Sequence, residues 1–375
     1  MSEAAQSRPP QAQRIARLLT MMKEWGASDL HLSVGKPPIF RVDGSIQDVR
    51  FKTLTDGDFR SLVEPIAPTH LWEQYMRTGD VDFAYELPGV SRYRVNLFRQ
   101  QRGMAAVFRN LSASIISMQK LALPDVIQRV VDLKAGLVLV TGPTGSGKST
   151  TLAAIINEMN EKHAMHFITI EDPIEYVHEN KKSVVTQREV GTHAEAFAPA
   201  LRAAMRENPD CILVGEMRDL ETIAAALTAA ETGVLVFGTL HTNSAAKTID
   251  RLISVFPPDR QPGVRNSIAG VLKVVVAQQL LRKKGGGRAA AVEIMFSNFA
   301  ISSLIREGKT FQINNALSQG KKDGMISMDE TLRSFVNDDL VEPGDALDKA
   351  IDKDIFRQFL ASKNISIPGD ADSKH

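Results

Sequence analysis

From residue 15 the apolar positions fall at Ile15, Leu18, Leu19, Met22 and Trp25, the spacing of one helix face, and Gly26 supplies a stop. Upstream, residues 1–12 are polar and proline-bearing, with too little apolar surface to fold, so a disordered tail is expected there. Short alternating or apolar runs bounded by Gly, Pro and Asp predict strands at 29–34, 39–42, 81–85, 93–98 and 105–108, with helical stretches near 56–77. Together they make a small α+β domain over 13–110. Residues 111–120, LSASIISMQK, are polar and irregular and read as a linker about which two lobes can move. From 121 the pattern changes. Apolar runs without alternation at 137–140, 167–170, 211–214 and 235–240 alternate with long helical segments, as strands buried on both faces of a mainly parallel sheet do. GGGR at 285–288 reads as a turn into a last strand at 290–294, and 345–360 reads as one amphipathic helix before a polar tail.

Composition narrows the classes. At 375 residues, 43% hydrophobic and 24% charged, the chain is long enough for two cores. A net charge of +1 leaves no long-range field to gather nucleic acid or an anionic membrane. The chain also lacks a clustered Lys/Arg stripe with interleaved aromatics, which speaks against a nucleic-acid translocase. The single cysteine, Cys211, excludes internal disulfides and a four-cysteine zinc site, as expected of a reducing cytoplasm. No apolar h-region follows the first basic residues and no run approaches the ~20 residues that span a bilayer. Membrane contact is therefore expected only through partners.

The segment GLVLVTGPTGSGKSTTLAAII carries the first chemistry. Gly142, four residues, then Gly147, Lys148 and Ser149 lie between an apolar strand and a helix, the order of a phosphate-binding loop. Gly142, Pro143, Thr144, Gly145, Ser146, Gly147, Lys148, Ser149 and Thr150 are the expected ATP or GTP contacts. Glycines let backbone N–H groups turn inward around phosphates, Lys148 reaches the β and γ oxygens, and Ser149 offers a hydroxyl to Mg²⁺. Carboxylates follow at the ends of later strands. Glu171, Asp172 and Glu175 come after 167–170, and Glu216 after 211–214, where parallel sheets place their ligands. Glu216 is the expected Mg²⁺-side acid, directly or through water, and Glu175 and Glu216 are the candidate catalytic carboxylates. Glu171 and Asp172 read equally well as solvated loop charge. His241, after 235–240, is placed to sense a γ-phosphate, or to serve as a structural hydrogen-bonder; His31 and His193 read as structural.

Longer strings carry a resemblance. TIEDPIEYVH, LRAAMRENPDCILVGEMRDLETI, LTAAETGVLVFGTLHTNSAAKTIDR and ASDLHLS resemble, in order and spacing, the secretion ATPase superfamily from about residue 27 to 324. Within it the chain is similar to the type IV pilus retraction ATPases, the PilT/PilU family. The resemblance implies a PAS-like N-terminal domain, a RecA-like P-loop ATPase domain over 121–375, and a homohexamer with ATP at subunit interfaces. It implies that Glu175 is the general base, Glu216 the Walker B acid and His241 the His-box histidine, with Arg94 first and Arg109 second as arginines acting on a neighbouring subunit's phosphates. It further implies work at the cytoplasmic face of the inner membrane on a pilus platform protein, disassembling the filament that powers twitching. Extension and type II secretion ATPases usually carry an extra N-terminal domain and a four-cysteine metal site, neither seen here. The stretch AISSLIRE resembles the retraction family's AIRNLIRE, which singles out Ala300, Ile301, Leu304, Ile305, Arg306 and Glu307. One departure stands out: Val234 occupies the place of the first His-box histidine. It keeps open an accessory role beside a second retraction ATPase, or a non-hydrolysing ATP-binding regulator.

Overall fold

The computed structural model describes residues 10–42, 44–111 and 114–365, so residues 1–9 of the expected tail, 112–113 of the expected linker and 366–375 of the polar tail lie outside it. By internal contacts the chain divides into Met1–Ser114 with Pro173–Val177, and Ile115–Asp172 with His178–His375.

In the first unit, helix α1 (Pro10–Glu24) starts on a proline, whose fixed φ suits a first turn, and so takes residues 10–12 of the expected tail into the helix. It buries Ile15, Leu18, Leu19 and Met22. There follow β1 (Asp29–Ser33), β2 (Ile39–Val42), β3 (Ser45–Asp48), α2 (Asp56–Val63), α3 (Thr69–Thr78), β4 (Asp80–Leu87), β5 (Ser91–Gln100) and β6 (Gly103–Leu111). They pair antiparallel in the order β3-β2-β1-β6-β5-β4. β5 alternates buried with half-buried positions, the mark of a sheet with one face in the core. Phe40, Tyr93, Val95 and Phe108 fill that core, and the Tyr93 hydroxyl donates to the Leu19 carbonyl at 3.0 Å, tying α1 to the sheet. β3 was not expected: all four of its residues are exposed, so it carries no apolar alternation.

The second unit runs α4 (Gln128–Val131), β7 (Gly136–Thr141), α5 (Lys148–Lys162), β8 (His166–Glu171), β9 (Val184–Glu189), α6 (Phe197–Ala204), β10 (Cys211–Val214), α7 (Leu220–Glu231), β11 (Leu235–Leu240), α8 (Ala245–Ser254), α9 (Gln261–Val271), β12 (Leu272–Arg282), β13 (Arg288–Phe296), α10 (Phe299–Arg306), α11 (Ile313–Gln319), α12 (Met328–Asn337), α13 (Pro343–Lys349) and α14 (Lys353–Ser362). Its sheet, ordered β13-β12-β7-β11-β10-β8-β9, is parallel except for the antiparallel edge strand β13. Every residue of β7, β10 and β11 is buried, which is why each appears in sequence as an unbroken apolar run. The loops after β7, β8, β10 and β11 leave the same edge of the sheet. The single helix expected over 345–360 is instead two, α13 and α14: Ala350 is extended, and the Asp352 carboxylate caps α14 by accepting from the Ile355 N–H. With α12 they pack Leu332, Leu347, Phe356 and Leu360 against Leu281 and Ala291 as a separate apolar cluster.

Glu293 on β13 is 2% exposed and accepts from two helix N-termini, the Ala245 N–H of α8 at 2.7 Å and the Met328 N–H of α12 at 3.4 Å. Burial pushes its pKa up to about 7 against those two hydrogen bonds. A carboxyl whose folded pKa lies above its unfolded value of 4.5 binds more protons when folded, so its contribution to stability falls as pH rises from about 4.5 through about 7. The loss amounts to about 3 kcal/mol, at ~1.4 kcal/mol per unit. Glu293→Gln keeps an oxygen for the Ala245 N–H and cannot ionise. Melting curves at pH 5.5 and 8 are expected to lie closer together in this variant than in the wild type, with the variant the more stable at pH 8. Equal pH dependence in the two proteins contradicts a buried titrating Glu293.

Candidate functional site

Residues 142–147 connect β7 to α5, and each glycine there has its own reason. Gly142 has φ +148°, and a Cβ on it would sit 2.2 Å from the Gln278 carbonyl oxygen and 2.5 Å from Ser146 Oγ. Gly147, at φ +89°, would bring a Cβ within 2.8 Å of Gln278 Nε2, whereas Gly145 at φ +77° meets open space and is required by conformation alone. α5 begins at Lys148 with no side-chain cap, leaving its first N–H groups for a ligand at the loop. Ser146 Oγ is buried without a hydrogen-bond partner. Pro143, Thr144 and Gly145 are exposed at the loop's mouth, and Ser149 and Thr150 are half-buried behind it. Lys148 Nζ donates back to the carbonyls of Gly142 at 2.9 Å and Pro143 at 3.2 Å, so its ammonium lies along the cradle. Uncapped amides, an unsatisfied hydroxyl and a lysine over a glycine cradle fit a polyphosphate.

The neighbouring strand ends are stitched to this loop. The Gly142 N–H donates to the Leu240 carbonyl at 3.2 Å, the Met217 N–H to the Thr239 carbonyl at 2.9 Å, and the Gly215 N–H to the Ile170 carbonyl at 2.8 Å. Thr242 and Thr248 share a hydroxyl contact of 2.7 Å, and Thr248 reaches Thr141, the last residue of β7, at 3.4 Å. On this edge His241 Nε2 lies 2.8 Å from Glu216 Oε1, and the Arg218 guanidinium bonds the same oxygen. Burial alone would raise the pKa of Glu216, but Arg218 and His241 outweigh it, and the carboxyl lies below its ordinary value. Glu216 is thus held ionised between two nitrogen donors. Glu171 accepts from Thr169 Oγ1 at 2.6 Å and Gln187 Nε2 at 3.1 Å, which engages it in the sheet edge. Val234 precedes β11 at the opposite end from His241, packed against the core, with its carbonyl accepting from the Gly136 N–H at 3.2 Å. A six-residue strand separates the two, roughly 20 Å at ~3.3 Å per residue.

Glu175 is half-buried on Pro173–Val177, the segment that groups with the N-terminal unit. In that unit Arg94 and Arg109 are direct cross-strand partners, and Arg109 in turn faces Asp29, which faces Arg41. The register puts three guanidinium groups in one row across β2, β1, β6 and β5. Asp29 holds Arg109 at 2.9 Å and Arg41 at 3.9 Å, and Arg94 pairs with Asp82 at 3.3 Å. Burial by itself would raise the pKa of Asp29; the Ser28 hydroxyl and Arg109 more than offset it.

α10 carries the 300–307 stretch. Asn298 caps it by accepting from the Ile301 N–H at 3.0 Å; Ile301 and Ile305 are buried, Leu304 half-buried, and Ala300, Arg306 and Glu307 exposed. Arg218, Gln278 and Arg41 are among the participants missed from sequence. Arg218 and Arg41 look like ordinary surface charge, and Gln278 lies on a strand that was itself missed.

Comparison with known proteins agrees with this geometry. A sequence model described as "Type II/IV secretion system protein" matches residues 5–293. The type IV pilus retractation ATPase PilT of Pseudomonas aeruginosa is 49% identical over 336 residues, 90% of this chain and 98% of that protein. The type IV pilus ATPase PilU of the same organism is 35% identical, over 88% of this chain and 87% of its own. A crystal structure of the pilus retraction motor PilT with bound ADP superposes with a TM-score of 0.86 at 45% identity, covering 92% of this chain and 99% of that one. The fold is accordingly a RecA-like P-loop ATPase domain preceded by a small PAS-like α+β domain. A glycine cradle on β7, an ionised acid and histidine paired on the adjoining strand ends, and a match running through most of its length make this chain a member of the Type II/IV secretion system protein family.

Proposed function

We propose that this protein is the ATPase motor of type IV pilus retraction, hydrolysing ATP to dismantle a pilin filament and so to power twitching. The observation that carries the reading is the phosphate cradle beside the Glu216–His241 pair, in a chain matching the retraction ATPase PilT over 98% of that protein. ATP lies with its phosphates in 142–147. Lys148 turns from its loop carbonyls to the β and γ oxygens. Ser149 and Glu216 are the residues that would hold Mg²⁺, partly through water; when bound, the ion neutralises charge on the transferring phosphoryl group. Glu175 takes the proton of the attacking water, and His241, positioned by Glu216, reads the presence of the γ-phosphate. Arg94 and Arg109 supply positive charge to a neighbouring subunit's nucleotide in a homohexamer, which makes turnover depend on assembly.

The motor works at the cytoplasmic face of the inner membrane, where it turns a pilus platform protein. Among the described residues no helix is long and apolar enough to cross a membrane. Val234, at the far end of β11 from His241, leaves the hydrolytic groups untouched, and the higher identity to PilT than to PilU favours a primary over an accessory role.

The exposed charges of α10 supply the test. Arg306→Ala and Glu307→Ala are expected to retain ATPase activity within about twofold and the wild-type melting temperature, while abolishing twitching. A variant that twitches normally removes α10 from force transmission; one that melts early marks the helix as structural. Deleting the gene is expected to leave cells piliated but immobile, and bald cells would instead indicate an extension motor.

A further inference from the structure

We propose that Gln278 is a positioning residue for ATP binding, holding the phosphate loop in its nucleotide-ready shape from the neighbouring strand β12. The ladder between β12 and β7 ends at Ala277 opposite Thr141, so Gln278 comes next, where β7 gives way to the loop. Its backbone and side chain both shape that loop. The Gln278 carbonyl oxygen fills the space a Cβ on Gly142 would need, and the side chain, on a residue 2% exposed, runs under the loop. Nε2 donates to the Ser146 carbonyl at 2.7 Å, and Oε1 accepts from Thr151 Oγ1 at 2.8 Å.

The two ends of the amide are not interchangeable. Thr151, buried in the first turns of α5, donates to the oxygen and thereby turns the nitrogen toward Ser146. A glutamate here would set a carboxylate against a carbonyl, and an apolar side chain would leave a buried carbonyl and hydroxyl without these partners. The loop's amides point at phosphate only while its carbonyls are held away from it, and Ser146 is the residue held. Gln278 therefore acts on the nucleotide through Ser146 and touches no reacting atom. The adjacent Gln279 shows that a buried glutamine on β12 need not do this: its Nε2 donates to the Lys349 carbonyl at 3.2 Å, at the end of α13.

The inference rests on the loop being the ATP site, and the test separates the two. Binding of a fluorescent ATP analogue, ATPase kinetics and melting temperature are measured for Gln278→Met, Thr151→Val, Thr151→Ser and Gln279→Met. Gln278→Met is expected to raise Kd and KM about 10- to 100-fold with kcat within about threefold of wild type. Thr151→Val should raise them about 3- to 10-fold, Thr151→Ser should restore wild-type values, and Gln279→Met should leave Kd unchanged. Adding Thr151→Val to Gln278→Met should cost nothing more, since one amide mediates both effects. Wild-type affinity in Gln278→Met, or an equal loss in Gln279→Met, overturns the proposal. If Gln278→Met fails to fold, the Thr151 pair decides: equal affinity in the Val and Ser variants overturns it, and a loss confined to Val supports it. Failure of the wild-type protein to bind the analogue would refute the ATP site itself.

Discussion

Lys148→Ala is expected to lower kcat/KM for ATP by about 10²- to 10⁴-fold while leaving the loop's fold intact. The ammonium is the charged donor at the cradle, and in the structure it satisfies the Gly142 and Pro143 carbonyls. In the proposed function it exchanges these for β and γ oxygens when ATP binds. Two charge-assisted hydrogen bonds at roughly 1.5–3 kcal/mol each give about 3–6 kcal/mol, and each ~1.4 kcal/mol is tenfold in rate. The backbone does not depend on the lysine. Gly142 is held by Leu240, Ser146 by Gln278, and the α5 N-terminus by the Thr151 N–H bond to the Gly147 carbonyl at 3.0 Å. Melting temperature should therefore move little while binding of an ATP analogue is lost. Turnover within tenfold of wild type would show that the phosphates sit elsewhere.

What could be read from sequence follows how each element buries its residues. β7, β10 and β11 are enclosed on both faces and stand out as solid apolar runs. β3 and β9 are edge strands whose side chains, apart from the buried Glu189 at the end of β9, are exposed or half-exposed, so no apolar pattern marks them. β12 escaped for another reason: α9 passes into it at Leu272 with no intervening loop, and Gln278 and Gln279 interrupt its apolar run. The site divides the same way. The phosphate loop is contiguous, and its spacing is its function. Glu216 and His241 each end a legible strand, but their 2.8 Å contact depends on β10 and β11 being neighbours, which no local string states. Gln278 is 132 residues from the Ser146 carbonyl it binds, and only the sheet order brings them together. The arginine row is likewise a product of register: Arg41, Arg109 and Arg94 come from three strands.

Glu175→Gln is expected to separate binding from cleavage, retaining ATP with near-wild-type affinity and hydrolysing it at least about 10²-fold more slowly. The amide matches the carboxylate in size and still donates and accepts hydrogen bonds, but it cannot take a proton from water, and general-base catalysis is worth about 10²- to 10⁴-fold. The segment should keep its conformation, because Ile174 and Tyr176 on either side of Glu175 are buried, 4% and 9% exposed, whereas Glu175 itself is only half-buried. Two other acids of the site already have partners. Glu171 is engaged by Thr169 and Gln187, and Glu216 is held ionised by Arg218 and His241. A single-turnover assay with radiolabelled ATP reads the two steps apart: bound ATP should persist on the Glu175→Gln protein and fail to accumulate on Lys148→Ala. Wild-type phosphate release from Glu175→Gln would take the base role from this residue. A loss of both binding and cleavage would instead make Glu175 part of the nucleotide's binding surface, with the proton passing to a different group.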